Sequence, residues 1–190
     1  RAQLYRASEN DGASWNIQLT DNTRSNAPYY LLDDRIATPN DLAVRNLFAA
    51  AGTQNGSSHY TQPRAAAPFA ILDVACEVIN SLIAVDSAIQ LPLLNIHWSS
   101  NNTVAEAVDE NSLAEGDIGG AFFKQTRIKN NGAAVSVVNQ IYLLGDADSN
   151  TDEYDPHVIA HEFGHYISAN LSRYDSKGGG HILGQRLDMR

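Results

Sequence analysis

The run His161-Glu162-Phe163-Gly164-His165 places two imidazoles four residues apart, with a carboxylate directly after the first. On a helix, residues four apart lie on one face about one turn from each other, as two ligands of a single metal ion require. Zinc accepts imidazole nitrogen at about 2.0 to 2.1 Å, and a catalytic zinc keeps one position for water, whose pKa falls to about 7 on the metal. Glu162 can reach that water without being a ligand, take its proton as general base and pass it on to a leaving amine, while the metal polarises the scissile carbonyl. The chemistry implied is hydrolysis of a peptide bond by zinc-activated water. A chance H-E-x-x-H match in a chain of this length and composition is expected roughly 0.007 times. The competing account is a pair of solvated helix-face histidines beside an ordinary glutamate.

The motif works only on a helix, and the flanking residues specify one. Asp155 is a good N-cap and Pro156 a good first helical residue, and Ile159, Phe163, Tyr166, Ile167 and Leu171 continue at helical spacing. The expected helix covers residues 156–172, with its apolar stripe pointing away from the histidines. Upstream, Pro68 opens a second helix over 68–85, with Phe69, Leu72, Ala75, Cys76, Ile79 and Ile83 on one apolar face. Cys76 is the single cysteine, so it forms no internal disulfide and reads as a small core residue. Strands are expected at 93–98, 120–124 and 135–144, the last two separated by the turn signal Asn130-Asn131-Gly132. Between them, 101–116 is polar, with a short helical segment at 103–108.

Near the N-terminus, Gln3–Arg6 and Trp15–Leu19 alternate apolar and polar residues around Asn10-Asp11-Gly12, which reads as a hairpin. Thr38-Pro39-Asn40-Asp41 starts a short helix that carries Leu42, Leu47, Phe48 and Ala51 and stops at Gly52. The stretch Gly52–Ser58 is polar and aperiodic, so a boundary is placed near His59. Residues 1–58 then form a β-rich N-terminal segment with a short helix, and 59–190 a second unit.

With the motif and these elements in order, the chain resembles the gluzincin metallopeptidases, in particular thermolysin-like and fungalysin-like proteins, over roughly residues 60–172. That family has a helix, a strand, an edge strand that pairs with the substrate backbone, a strand ending in an acidic turn, and then the zinc helix. The resemblance implies an α+β fold: a zincin-like N-terminal subdomain, whose twisted, mainly antiparallel sheet packs on a long helix and on the active-site helix, after a small β-rich N-terminal segment. It implies His161 and His165 as zinc ligands, Glu162 as catalytic base, and Gly120, Ala121 and Phe122 as the segment that holds an extended peptide by strand addition. An ordinary sheet edge is the alternative for that segment. The family's third ligand is a glutamate on a later helix, but no glutamate follows Glu162. The chain therefore reads as the N-terminal part of a catalytic domain, with the third ligand expected beyond Arg190 and with Asp175 or His181 as alternatives.

Asp146, Asp148, Asn150 and Asp152 put oxygens at alternate positions, like the start of a calcium loop, although Thr151 replaces the glycine and His157 the closing glutamate of that motif. A solvated acidic turn is the alternative. His59, His97 and His157 read as packing or surface residues. With 13 basic and 22 acidic side chains the net charge is −9, which repels nucleic-acid phosphates. The longest apolar candidate for a membrane span, Pro68–Val85, is interrupted by Asp73, Glu77 and Asn80. The expected partner is a peptide or protein substrate. An acidic, cysteine-poor chain with Asn-, Ser- and Asp-rich loops fits a secreted protein, and no apolar signal region follows Arg1. The competing functional class is a noncatalytic extracellular binding module that retains a peptidase fold.

Overall fold

Period-2 alternation of apolar side chains builds the strands at Trp15–Asp21 and Leu94–Trp98, and a period near 3.6 builds the two long helices. The computed structural model describes residues 2–7, 12–29, 48–53, 59–107, 109–128 and 136–172. In chain order the elements are β1 (Gln3–Arg6), β2 (Trp15–Asp21), β3 (Ala27–Pro28), α1 (Ala67–Val85), β4 (Leu94–Trp98), α2 (Glu110–Glu115), β5 (Phe122–Ile128), β6 (Ser136–Leu143), β7 (Gly145–Asp146), β8 (Asn150–Thr151) and α3 (Pro156–Leu171).

The main sheet runs β1-β2-β4-β6-β5, with β3 added beside β2. Its centre is parallel: Ile17 pairs with Leu94, and Ile96 with Ile141. Its flanks are antiparallel, β1 on β2 and β5 on β6. The sheet is therefore mixed rather than mainly antiparallel. The reason is in the connections: the chain leaves β2 and reaches β4 only after α1, a crossover long enough to return it in the same direction. Because β2 pairs with β4, strands from both sides of residue 59 share one sheet.

One face of this sheet carries Ile17, Leu94, Ile96, Ile141 and Leu143, which share a core with Ile71, Ala75 and Ile79 of α1 and Ile159, Phe163 and Tyr166 of α3. On α1 the buried set is Ala67, Pro68, Ile71, Leu72, Ala75 and Ile79. Phe69 and Cys76, seven residues apart and so on one flank of the helix, fall outside it: Phe69 is exposed and Cys76 half-buried. By length and composition α1 is apolar enough to cross a bilayer; in this fold its apolar face is covered by the core.

The opposite face of the sheet is more polar. Thr20, His97, Tyr142 and Phe122 stand in one cross-strand row by register. The His97 and Tyr142 rings are 4.6 Å apart, and Tyr142 stacks on Phe122 at 4.9 Å. A second apolar cluster, Leu113, Ile118, Tyr142 and Leu144, seats α2 at this end of the sheet.

One expected helix is displaced. Of the segment expected at 103–108, the described residues 103–107 are not helical: the Thr103 hydroxyl accepts the Ala105 N–H, and Thr103 bridges to Asp117. The helix forms instead at α2, where Asp109 caps the Ser112 N–H and Gly116, at φ 105°, ends it. The helix expected from Thr38 lies outside the described residues up to 47, and 48–51 are not helical. The turns expected at Asn10-Asp11 and Asn130-Asn131-Gly132 also lie outside them.

Candidate metal centre

Three anchors hold α3. At its N-terminus the Asp155 carboxylate accepts the N–H groups of His157 and Val158. Two residues earlier, the fully buried Glu153 pairs with Arg64 and accepts a hydrogen bond from the Trp98 indole at 3.3 Å. Arg64 also donates to the Gly145 carbonyl and lies over the Tyr60 and Trp98 rings. Gly145 must be glycine, because a Cβ there would stand 2.1 Å from the Ser99 carbonyl oxygen. Along the helix, Ile159, Phe163 and Tyr166 are buried, and the Tyr166 hydroxyl donates to the Pro92 carbonyl at 2.6 Å. Near the C-terminus, the Asn170 amide donates to Asn139 Oδ1 at 3.1 Å, and Gln125 of β5 donates to the same oxygen at 3.0 Å.

With that stripe fixed against the core, residues two positions away from Phe163 turn about 200° from it at 100° per residue. His161 and His165 both occupy such positions and face outward, His161 exposed and His165 half-buried. Glu162, three positions after Ile159, lies only about 60° off the stripe and is 7 % exposed. The Nε2 atoms of the two histidines are 3.1 Å apart and the rings are nearly perpendicular, at 88°. Two nitrogens bound tetrahedrally at 2.0–2.1 Å would stand about 3.3 Å apart, so the pair needs almost no adjustment to share one ion. The ligand atoms of His161, Glu162 and His165 lie within 4.8 Å of one another. This His-Glu-His group could hold a metal ion.

The remaining sequence expectations distribute differently. Asp146, Asp148 and Asp152 do not gather: among the described residues, only the His161-Glu162-His165 group brings three or more His, Cys, Asp or Glu ligands together. Asp146 lies in the small β7–β8 hairpin opposite Asn150, and its Oδ1 accepts the Asp148 N–H. Asp152 turns inward and accepts the Leu144 N–H at 2.7 Å; burial raises its carboxyl above the usual range. His157 is exposed on the first turn of α3 and stands outside the metal group. Gly120 and Ala121 precede β5 and Phe122 begins it, at the end of the sheet. Among the described residues, no strand pairs with the outer edge of β5. Asp175 and His181 lie outside the described residues.

His97 is buried, with Nδ1 2.9 Å from Thr20 Oγ1 and Nε2 3.1 Å from the Gln140 amide nitrogen. Burial pushes its pKa down to about 4, so it is neutral, accepting from Gln140 and donating to Thr20. The anchor Arg64–Glu153 escaped sequence reading because its members are 89 residues apart. Asp109 and Gly116, a cap and a stop, were the local signal for α2.

Comparison of the chain with protein-family models, curated proteins and solved structures gives no match.

Proposed function

We propose that the chain carries the catalytic helix of a zinc-dependent endopeptidase, with His161 and His165 as ligands and Glu162 as general base. The observation that carries this reading is the convergence of two imidazole nitrogens, 3.1 Å apart, with a buried carboxylate in the same small group. A solvated helix-face pair would have no reason to keep a glutamate 7 % exposed beside it. The place of β5 at the sheet edge also fits the gluzincin resemblance, in which that strand aligns an extended peptide.

When bound, zinc would supply Lewis acidity toward the scissile carbonyl and toward water. The protein's own residues do the rest. Glu162, held by the packing of α3, takes one proton from the attacking water as its oxygen bonds to the acyl carbon. It then delivers that proton to the amine nitrogen as the C–N bond breaks, which leaves a carboxylic acid and an amine. The outer edge of β5 offers backbone groups to an extended substrate, and Gly120, Ala121 and Phe122 would lead it in.

The test compares zinc content and casein hydrolysis for the full natural protein and its Glu162→Gln variant. Chelator-sensitive hydrolysis that Glu162→Gln removes while zinc is retained supports the reading. Full activity in Glu162→Gln overturns the mechanism, and tight zinc with no hydrolysis in either protein favours a binding module.

A further inference from the structure

Side chains along β5 alternate between two environments. Phe123 meets Tyr166 of α3 edge-on and Gln125 reaches Asn170 of α3, so these positions face the helix that carries the histidines. Phe122 and Lys124 point the other way, into a cavity of about 600 Å³ walled by Glu106, Asp109, Glu110, Leu113 and Ile118. A peptide added to the outer edge of β5 would alternate in the same manner, every second side chain reaching this cavity's side of the sheet.

The lining has two parts. The floor is apolar: Leu113 and Ile118 belong to the second core cluster, and Phe122 ends the aromatic row that stacks through Tyr142 to His97. The rim carries three carboxylates against one ammonium, and that ammonium, Lys124, is already paired with Glu110. Burial, with the charge of Glu110 added, pushes the phenol of Tyr142, stacked on Phe122, up to about 12. Asp109 is committed to capping α2, which leaves Glu106 and the outer side of Glu110 as the groups able to meet a ligand.

An apolar floor under an anionic rim is complementary to a side chain with an aliphatic stem and a cationic head. The face of Phe122 adds a cation–π surface. A carboxylate ligand would meet repulsion at the rim, and a purely aliphatic one would leave the rim charges unused. We propose that this cavity is a specificity subsite for an arginine or lysine side chain of a peptide strand bound along β5. The proposal rests on the peptidase reading for its alignment on β5 and goes beyond it by naming the substrate class.

The experiment separates the two. Binding of three fluorescent peptides, identical except for Arg, Leu or Glu at one position, is measured on the Glu162→Gln protein, which binds without turnover. The Arg peptide is expected to bind at least about fivefold more tightly than the others, with the margin falling within about twofold in a Glu106→Gln/Glu110→Gln background and at high salt, where exposed charges are screened. Equal affinities for the Arg and Leu peptides, no binding of any peptide, or a margin that survives the double substitution overturns the subsite. Casein hydrolysis by the unsubstituted protein reports on the peptidase reading separately. Hydrolysis without Arg preference removes the subsite alone, and Arg preference without hydrolysis removes the catalytic reading alone.

Discussion

On α3, His161 is exposed and its Nε2 stands 3.1 Å from that of His165, whereas on β4 the buried His97 has both ring nitrogens engaged by side chains of neighbouring strands. The difference teaches what makes a histidine available for chemistry. A ligand needs a nitrogen lone pair aimed at a point that a metal can reach, and the His-Glu-His group on α3 could hold an ion there. The lone pair of His97 is spent on Gln140 and its proton on Thr20, so its imidazole serves as a cross-strand connector in a low-dielectric layer. Burial keeps it neutral; the α3 pair sits where water can enter.

The sharpest way to break this division is to remove function from each side. Glu162→Gln is expected to lower casein hydrolysis by about 10²- to 10⁴-fold, the usual worth of a positioned general base, with zinc content unchanged by atomic absorption. His97→Gln, assayed where it is folded, should leave the rate within a small factor; a loss as deep as that of Glu162→Gln would place His97 in the chemistry and end the contrast.

The next effect concerns how α3 is held. Glu153→Ala leaves Arg64 buried and unpaired, and should cost about 3–5 kcal/mol in denaturant unfolding. Its zinc affinity should fall too, because α3 loses the anchor that precedes its cap. Unchanged stability would mean that the buried pair does not hold the helix.

A third effect sharpens the contrast through pH. The folded-state pKa of His97, about 4, lies below its ordinary 6.5, so between these values the unfolded chain binds a proton that the folded chain does not. Stability contributed by this group is therefore present above pH 6.5 and is lost as pH falls toward 4, by on the order of 3 kcal/mol. Unfolding curves across that range should show the loss in the unsubstituted protein and a smaller one in His97→Gln; identical slopes would show that His97 is not buried neutral.

The smallest effect is at the cap. Asp155→Ala removes the acceptor for two first-turn N–H groups and should cost about 1 kcal/mol, seen as a modest drop in midpoint with the metal site retained.

Much of α3 was legible in the sequence. Asp155, Pro156 and the stripe Ile159, Phe163 and Tyr166 define the helix through local rules of capping and periodicity, and the same periodicity puts His161 and His165 together on its outer face. The strands β1, β2, β4 and β6 lie within a residue or two of their expected positions, whereas β5 starts two residues later and runs four further than expected. Sheet direction was not legible, because alternation is the same in parallel and antiparallel strands; only the route of the chain through α1 between β2 and β4 decided it. The position of α2 was misjudged because the polar stretch 101–116 offers little periodicity, and the Asp109 cap decided among weak alternatives.

The sequence by itself determined which residues could hold a metal ion and that one helix would present them, since both depend on spacings of three to four residues along one chain. Tertiary structure alone decided that Glu162 is buried beside the histidines, that Asp152 turns inward away from Asp146 and Asp148, and that His97 is a neutral connector. It also brought Arg64 to Glu153 and set Glu106 and Glu110 around Phe122. The physical reason is range: backbone geometry fixes neighbours within a turn, while burial, charge pairing and cavities depend on which distant segments the hydrophobic core pulls together.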